Sequence, residues 1–405
     1  MGFIIFAVPV FFLLIGVELL IQRLRRTELY RFSDAVSNIS CGIVQQVTGA
    51  ALGAVLIVGY LYLYEHYRLF DIPDTLWTYV LLFVGVDFFY YWFHRYAHEI
   101  NLFWGSHVVH HQSEEYNLSV ALRQSATQGF VSTWFYLPLA LLGFNPVAFI
   151  AVRSIQTLYQ FWIHTRTIDR LHPWVEFVFN TPSHHRVHHG RNPEYIDKNH
   201  GGTLIIFDRM FGTFQAERAP VVYGVTKPLH TWDPIRANLD YYYDLWRDLR
   251  RPISWRDRMT LLFQKPGWLP DAEGGPRSVP PIDEQETDKY DTPTPPALVN
   301  YVLVQFVLML LLSVGVLLRF GALSSVGQLL SIFTICASAF GLGTLLDGRR
   351  KAVWVECTRL LLLPPLIWQA TGSMMNTGGA VIGVALSWLV LWAIHNGLQP
   401  RRKIV

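Results

Sequence analysis

Residues 86–111 read VDFFYYWFHRYAHEINLFWGSHVVHH, and this stretch joins an apolar segment directly to two groups of histidines. Residues 184–189, HHRVHH, repeat the second pattern further along the chain. Histidines three or four positions apart share one face of a helix, and imidazole is the commonest metal-ligating side chain. The pattern therefore predicts a metal site at the end of an apolar helix.

The composition is that of an integral membrane protein. Of the 405 residues, 51% are hydrophobic and only 16% are charged, whereas soluble domains carry roughly 25% charged residues. The apolar residues fall in blocks long enough to cross a bilayer. A net charge of +3, without a basic tract interleaved with aromatics, argues against nucleic-acid binding.

We predict an all-α fold: a multi-pass membrane bundle with a histidine-rich cap holding two metals on the cytoplasmic side. Arginines follow the first apolar segment rather than precede it, which favours a retained helix over a signal peptide. A pair of shorter segments, 128–142 and 146–163, is expected to form a hairpin that enters and leaves on one side. The other apolar segments are 3–21, 40–63, 77–93, 299–318, 326–346, 353–370 and 379–395.

The chain divides by composition into three parts. We predict a catalytic membrane domain at 1–265, a linker rich in proline, glycine and acids at 266–297, and a C-terminal helix bundle at 298–405. Loops rich in lysine and arginine favour the cytoplasm, and one path through the membrane then puts every histidine cluster on that side. The basic groups are Arg23, Arg25 and Arg26; Arg349, Arg350 and Lys351; and Arg401, Arg402 and Lys403.

Eight clustered histidines exceed the three or four ligands of a single zinc site, so two metals are the simpler interpretation. A metal-storage tract would be a low-complexity segment, unlike these helical, aromatic surroundings. His164 and His184 are further ligand candidates that compete with Gln160 for the last positions, whereas His200 is expected outside the ligand set. The eight are His94, His98, His107, His110, His111, His185, His188 and His189.

Acidic residues near the histidines are candidates for supporting roles. Asp87 lies two helical turns before His94 on the same face, where a membrane carboxylate is costly and usually functional. We expect it to accept the ring N–H of a ligating histidine. Glu99 is a second candidate for a supporting role, and the alternative is that it is an ordinary solvated charge on the surface. Ligation by histidine without thiolates fits iron, zinc or copper, and iron best suits oxygen chemistry beside lipid.

The order HxxxH, HxxHH, HxxHH between membrane helices resembles the fatty acid hydroxylase and sterol desaturase superfamily. Residues 179–190 (FNTPSHHRVHHG) and 196–202 (IDKNHGG) are similar to its alkylglycerol monooxygenase family, which more often has tyrosine at the position of His200. The segment Tyr116–Ser119 also matches, which adds Asn117 to Asp87 and Glu99 as candidate catalytic residues.

The resemblance implies an integral-membrane enzyme with two non-haem iron ions and O2 as co-substrate. Tetrahydrobiopterin or another external reductant, such as an electron-donor protein, supplies electrons. The expected reaction hydroxylates the ether-bearing carbon of an alkylglycerol and releases a fatty aldehyde. Arg123, Arg186 or Arg191 would either meet the lipid headgroup or pair with acidic neighbours. The membrane is that of the cell in a bacterium, or the endoplasmic reticulum in a eukaryote.

Two other functions fit the same sequence features. One is a fatty acid, sterol or carotenoid hydroxylase or desaturase with the same two-iron site. The other is a membrane metal transporter or sensor, which would place polar residues through the middle of the membrane instead of clustering histidines at one surface.

Overall fold

The computed structural model describes residues 2–282 and 289–398. The regular elements in these ranges are all helices, and the ranges contain no β-strand, only the isolated bridges Phe179–Leu204 and Gly190–Tyr223. The all-α fold class is therefore confirmed. Arg401, Arg402 and Lys403, one of the three basic groups used for orientation, lie outside the described residues.

Six described helices are long and apolar enough to cross a membrane, which confirms a multi-pass protein. The first is α1 (Gly2–Arg25), the second α2 (Phe32–Tyr67) and the third α3 (Leu76–Glu99). A capping box of Thr75 and Thr78 starts α3, because each side chain accepts the backbone N–H of the other. The six spans are Ala7–Arg25, Phe32–Tyr67, Leu76–Glu99, Pro296–Ala322, Ser325–Leu346 and Met374–His395.

Short helices form a cap at the C-terminal end of α3. Buried Asn101 ties this cap together, because its side-chain amide donates to the carbonyl of Leu261 at 2.9 Å. Segments this short gain their stability from packing rather than from intrinsic helix propensity. The cap helices are α4 (Asn101–Trp104), α5 (Val108–His111), α9 (Pro173–Val178), α10 (Pro182–His188), α11 (Ile206–Met210), α12 (Pro234–Leu249) and α13 (Trp255–Phe263).

The predicted hairpin is built from α6 (Gln128–Phe135), α7 (Leu137–Leu142) and α8 (Pro146–Trp162). The chain reverses at Gly143, whose φ of 100° and close approach to a backbone carbonyl require glycine. Both ends of the hairpin lie beside the histidines, because Gln128 contacts His107 and His164 contacts His110. The hairpin therefore enters and leaves at the same end of the bundle, as predicted.

The C-terminal helices pack directly against α2. The prediction of a single span at 353–370 is wrong: this segment forms two nine-residue helices. The first ends shortly before Pro364 and Pro365, where proline disfavours continued helix. The division of the chain at 266 and 298 stays a prediction. The helices are α14 (Pro296–Arg319), α15 (Ser325–Leu346), α16 (Ala352–Leu360), α17 (Leu363–Thr371) and α18 (Met374–Leu398).

Candidate metal centre

The cap brings nine of the ten predicted ligand histidines into two adjacent groups. In each group, one nitrogen per residue lies within 4.8 Å of the others. All nine side chains are buried. The first group is His94, His98, His107, His111 and His188, and the second is His110, His164, His185 and His189.

The ring nitrogens approach one another as closely as ligands of a shared metal ion. Nε2 of His107 lies 2.9 Å from Nε2 of His94 and 3.2 Å from Nε2 of His111. Nε2 of His164 lies 3.2 Å from Nε2 of His110 and 3.0 Å from Nε2 of His185. Metal–nitrogen bonds of roughly 2.0–2.1 Å place neighbouring ligand nitrogens about 3 Å apart. The spacing therefore fits one ion in each group.

Several Nε2 atoms in the groups are buried without a hydrogen-bond partner in the part of the chain that the structure describes, among them those of His98, His188 and His189. An unpaired buried nitrogen is costly, and a bound cation would satisfy it. The donor set therefore fits metal ions.

Backbone carbonyls fix the orientation of four of the rings. A carbonyl oxygen can only accept, so each of these rings carries its hydrogen on Nδ1 and keeps the Nε2 lone pair free. The pairs are Nδ1 of His94 to the His200 carbonyl at 2.7 Å, His110 to Arg123 at 2.9 Å, His164 to Gln160 at 2.7 Å and His188 to Lys198 at 2.9 Å.

Burial keeps the ligand histidines of the cap uncharged. It lowers the pKa of His107 and of His164 to about 4. The pKa of His185 and of His189 is lowered well below its usual range, first by burial and then by neighbouring histidines. Metal ligation requires neutral imidazole, so the site is ready for a cation at neutral pH.

His184 lies outside both groups, contrary to its candidacy as a ligand. Its Nε2 is 3.0 Å from the Glu176 carboxylate, which also accepts the hydroxyl hydrogens of Thr181 and Ser183. Burial would raise the pKa of Glu176, but hydrogen bonds from His184, Ser183 and the Leu171 backbone lower it to about 2. Because a helix turns about 100° per residue, His184 points away from the direction of His185.

Asp87 does not contact a histidine ring among the described residues, so the role predicted for it is wrong. Its carboxylate instead accepts the backbone N–H groups of Thr203 and Leu204, both at 2.8 Å. This holds the loop that follows His200, whose carbonyl orients His94. Asp87 is therefore a positioning residue.

Glu99 and Asn117 also lie outside the two histidine groups. Glu99 forms an ion pair with Arg95 at 3.2 Å on a partly exposed face of α3. This agrees with the alternative interpretation of Glu99 as a surface charge. Buried Asn117 donates to the Leu29 carbonyl at 2.7 Å and accepts from Ser119. The contacts of Asn117 hold together the loop that precedes Arg123.

Sequence reasoning missed a pair of glutamines that lies beside both groups. Oε1 of Gln128 lies 3.0 Å from Nδ1 of His107, and Nε2 of Gln128 donates to Oε1 of Gln124 at 3.1 Å. Nε2 of Gln124 lies 3.4 Å from Nδ1 of His110, but both nitrogens carry hydrogen, so this is a contact and not a hydrogen bond. The two glutamines have no distinctive spacing from the histidines, so only the fold places them there.

His200 also lies closer to the site than expected. It is fully buried, and its ring centroid is 5.1 Å from that of His98. Neither of its ring nitrogens has a hydrogen-bond partner among the described residues. It does not belong to either group of close-set nitrogens.

Two of the three arginines expected to meet the lipid headgroup form hydrogen bonds or ion pairs within the protein instead. Arg123 donates to the Val109 carbonyl at 2.7 Å and to Asn38 at 3.1 Å. Arg186 forms an ion pair with Glu217 at 2.7 Å. These two side chains hold the cap together and are not free to meet a lipid.

A cavity of about 410 Å³ opens beside both histidine groups. His107 of the first group and His110 and His164 of the second line it. Its other walls come from α1, α2, α3, α6, α8 and α14, so the C-terminal bundle contributes to the cavity. Much of the lining is apolar, which suits a lipid chain.

A family model described as fatty acid hydroxylase matches residues 79–213, which contain all nine grouped histidines. Together with the membrane helices, this match defines the class: the chain is a membrane oxidoreductase that acts on lipids. No solved structure matches the chain.

Several curated relatives match most of the chain. It is 42% identical over 364 residues to alkylglycerol monooxygenase of Homo sapiens, which covers 88% of this chain and 80% of that protein. It is 40% identical to the Danio rerio protein of the same name, with the same coverage of both chains. Ornithine lipid hydroxylase of Rhizobium tropici is 30% identical over 149 residues, covering 35% of this chain and 43% of that one. The chain belongs to the alkylglycerol monooxygenase family.

Proposed function

We propose that each histidine group holds one iron ion and that the enzyme hydroxylates the ether-bearing carbon of alkylglycerols. One oxygen atom of O2 enters the substrate, and the other leaves as water with two electrons and two protons from tetrahydrobiopterin or another external reductant. The resulting hemiacetal collapses to a fatty aldehyde and a glycerol. The observation that carries the proposal is the lipid-sized cavity that reaches histidines of both groups.

The donor set favours iron over zinc at the first group. Five histidines exceed the four ligands of a tetrahedral zinc site. Bound iron supplies the activation of O2 and the removal of hydrogen from an unactivated C–H bond. The contribution of this chain is to hold neutral imidazoles in fixed orientations through the carbonyls that bind their Nδ1 atoms.

The cavity positions the substrate and excludes water. Phe11 and Phe12 of α1 and Leu310 of α14 offer an apolar wall to the alkyl chain. The Gln124 and Gln128 amides lie where the cavity meets the histidines, and they can hydrogen-bond a glycerol hydroxyl. A chain held in this way presents the ether-bearing carbon to the metals.

We place the metal site on the cytoplasmic face. The histidines lie at the end of the bundle where α1 finishes, since Arg25 donates to the Thr167 carbonyl at 3.2 Å, close to His164. Arg23 and Arg25 then follow the positive-inside rule only if this end is cytoplasmic. If the histidines lay on the outer face instead, these arginines would lie on the outer side of the membrane.

The test is turnover by the full-length protein in nanodiscs, loaded with iron and supplied with 1-alkylglycerol, O2 and tetrahydrobiopterin. Fatty aldehyde, trapped as a hydrazone, is the expected product, and it should be absent for His98→Ala. The exposed His172→Ala serves as the matched control and should retain turnover. A hydroxylated fatty acid or sterol, without aldehyde from alkylglycerol, would replace this proposal with the alternative hydroxylase function.

A further inference from the structure

The cavity has two chemically different walls. The wall from α1 and α14 is apolar, whereas the wall from α6 and α8 is polar. On α8 the polar residues recur every three or four positions and so share one face of the helix that ends near His164. Such a cavity fits an amphiphile whose polar part follows one wall. The polar-wall residues are Gln128, Ser132, Arg153, Gln156, Thr157 and Gln160.

Arg153 stands at the far end of this polar wall without an acidic partner. Its Nη2 lies 3.4 Å from Oγ of Ser132, and its guanidinium lies 5.0 Å from the ring centre of Tyr136. No carboxylate among the described residues forms an ion pair with it, in contrast to Arg186, which pairs with Glu217. An arginine within a membrane hairpin is costly unless it is paired or serves a ligand.

A guanidinium that faces a cavity is suited to bind an anion. It offers several N–H donors in a planar fork that matches the oxygens of phosphate, and it stays charged at every physiological pH. The Ser132 hydroxyl oxygen accepts from this guanidinium at 3.4 Å and so helps to hold it at the cavity. The wall therefore ends in a ready-made site for a phosphate group.

The position of Arg153 selects among possible headgroups. It precedes His164 by eleven residues, which corresponds to about 16 Å along α8. Its guanidinium, however, contacts Ser132, one helical turn (about 6 Å) along α6 from Gln128, and the Gln128 side chain contacts His107. A bare glycerol at the metal groups carries no anionic group that could pair with the guanidinium. A phosphate ester on that glycerol extends the headgroup towards Arg153, past the hydrogen-bonding side chains of Gln160 and Gln156.

We propose that Arg153, with Ser132, binds the phosphate of an ether lipid, so that phosphate-bearing lyso-ether lipids are preferred over neutral alkylglycerols. This inference rests on the proposed ether-lipid function and adds its specificity-determining residue. The alkyl chain follows the apolar wall, and the glycerol phosphate follows the polar wall.

The kinetic test compares 1-alkylglycerol with 1-alkyl-glycerol-3-phosphate of the same chain length. For Arg153→Gln the preference for the phosphate substrate, measured as the ratio of kcat/KM values, should fall about tenfold or more, mainly through KM. Arg153→Lys should keep part of the preference, because lysine keeps the positive charge but lacks the planar set of N–H donors of the guanidinium. The control is Arg68→Gln, since Arg68 pairs with Asp71 on an exposed loop, and it should leave the ratio unchanged. An unchanged ratio in Arg153→Gln, or a wild-type preference for the neutral lipid, would overturn the inference.

A binding test separates this inference from the proposed function. The thermal shift produced by each lipid is measured on the same proteins without reductant, so no turnover occurs. A larger shift with the phosphate lipid that disappears in Arg153→Gln supports the site even if no aldehyde is ever formed. Aldehyde formation with equal shifts for both lipids supports the function and overturns the site. An equal shift with inorganic phosphate alone would assign the site to free phosphate and overturn its role in lipid selection.

Discussion

Nε2 of His110 and Nε2 of His164 lie 3.2 Å apart, although 54 residues of sequence separate them. His110 comes from a four-residue cap helix, and His164 follows the returning limb of the membrane hairpin. The hairpin therefore completes the second histidine group and, at the same time, forms a wall of the cavity. In the proposed function, this arrangement would couple the position of the substrate to the position of the metals.

Removal of a ligand should lower metal content without unfolding the protein. His188→Ala removes a buried nitrogen from the first group, and we expect it to lose about one of the two bound ions per chain. The iron content of purified protein, measured by mass spectrometry, checks this. His184→Ala is the control, because His184 contacts Glu176 rather than the groups, and it should keep both ions. Two ions in His188→Ala would contradict the ligand assignment.

The metal-free protein should lose stability in mild acid. Burial lowers the pKa of His107 and His164 to about 4, whereas an unfolded histidine has a pKa of about 6.5. Between these values the unfolded chain binds more protons than the folded chain, so the free energy of unfolding falls as pH falls. Thermal melting should show a flat Tm above pH 7 and a decline below about pH 6.5.

The control for this pH dependence is His107→Phe, which removes one of the titrating groups and should make the decline shallower. The exposed His172→Asn should leave it unchanged. A Tm that rises on acidification would refute the assignment of neutral buried histidines.

Gln128 should strengthen metal binding through His107. Its Oε1 accepts the Nδ1 hydrogen of His107 at 3.0 Å, which directs Nε2 towards the metal. Gln128→Leu removes the acceptor, and we expect metal affinity to fall about 10–100-fold. Gln128→Glu keeps an acceptor and should retain most of the affinity. Competition with a chelator measures the metal affinity of each variant. Equal metal affinities in Gln128→Leu and Gln128→Glu would exclude this role.

Asp87 should contribute to stability through the loop it holds. Asp87→Asn removes one of two acceptors for the N–H groups of Thr203 and Leu204, at an expected cost of about 1–3 kcal/mol. Gly202→Ala should act in the same direction, because its Cβ would lie 2.9 Å from Oδ1 of Asp87. Tm values measured in detergent test both changes. A wild-type Tm in both variants would show that the loop does not depend on this carboxylate.

The sequence by itself determined the membrane helices and the histidines that meet in the two groups. Apolar blocks set the spans, because only helices satisfy their backbone within a bilayer. Spacings of three and four positions predicted which histidines share a face, because residues at that spacing lie on the same side of a helix. Such local signals also predicted the hairpin, as two shorter apolar segments separated by only three residues.

Only the tertiary structure decided how the histidines divide and what supports them. His110 and His111 are neighbours in sequence but join different groups, because adjacent residues point in different directions from a helix. The contacts of Asp87, His184 and Gln128 join segments whose approach depends on packing. The cavity arises in the same way. Arg153 and the apolar residues of α14 line one cavity because the helices pack together, and the spacing of residues in the sequence does not encode this packing.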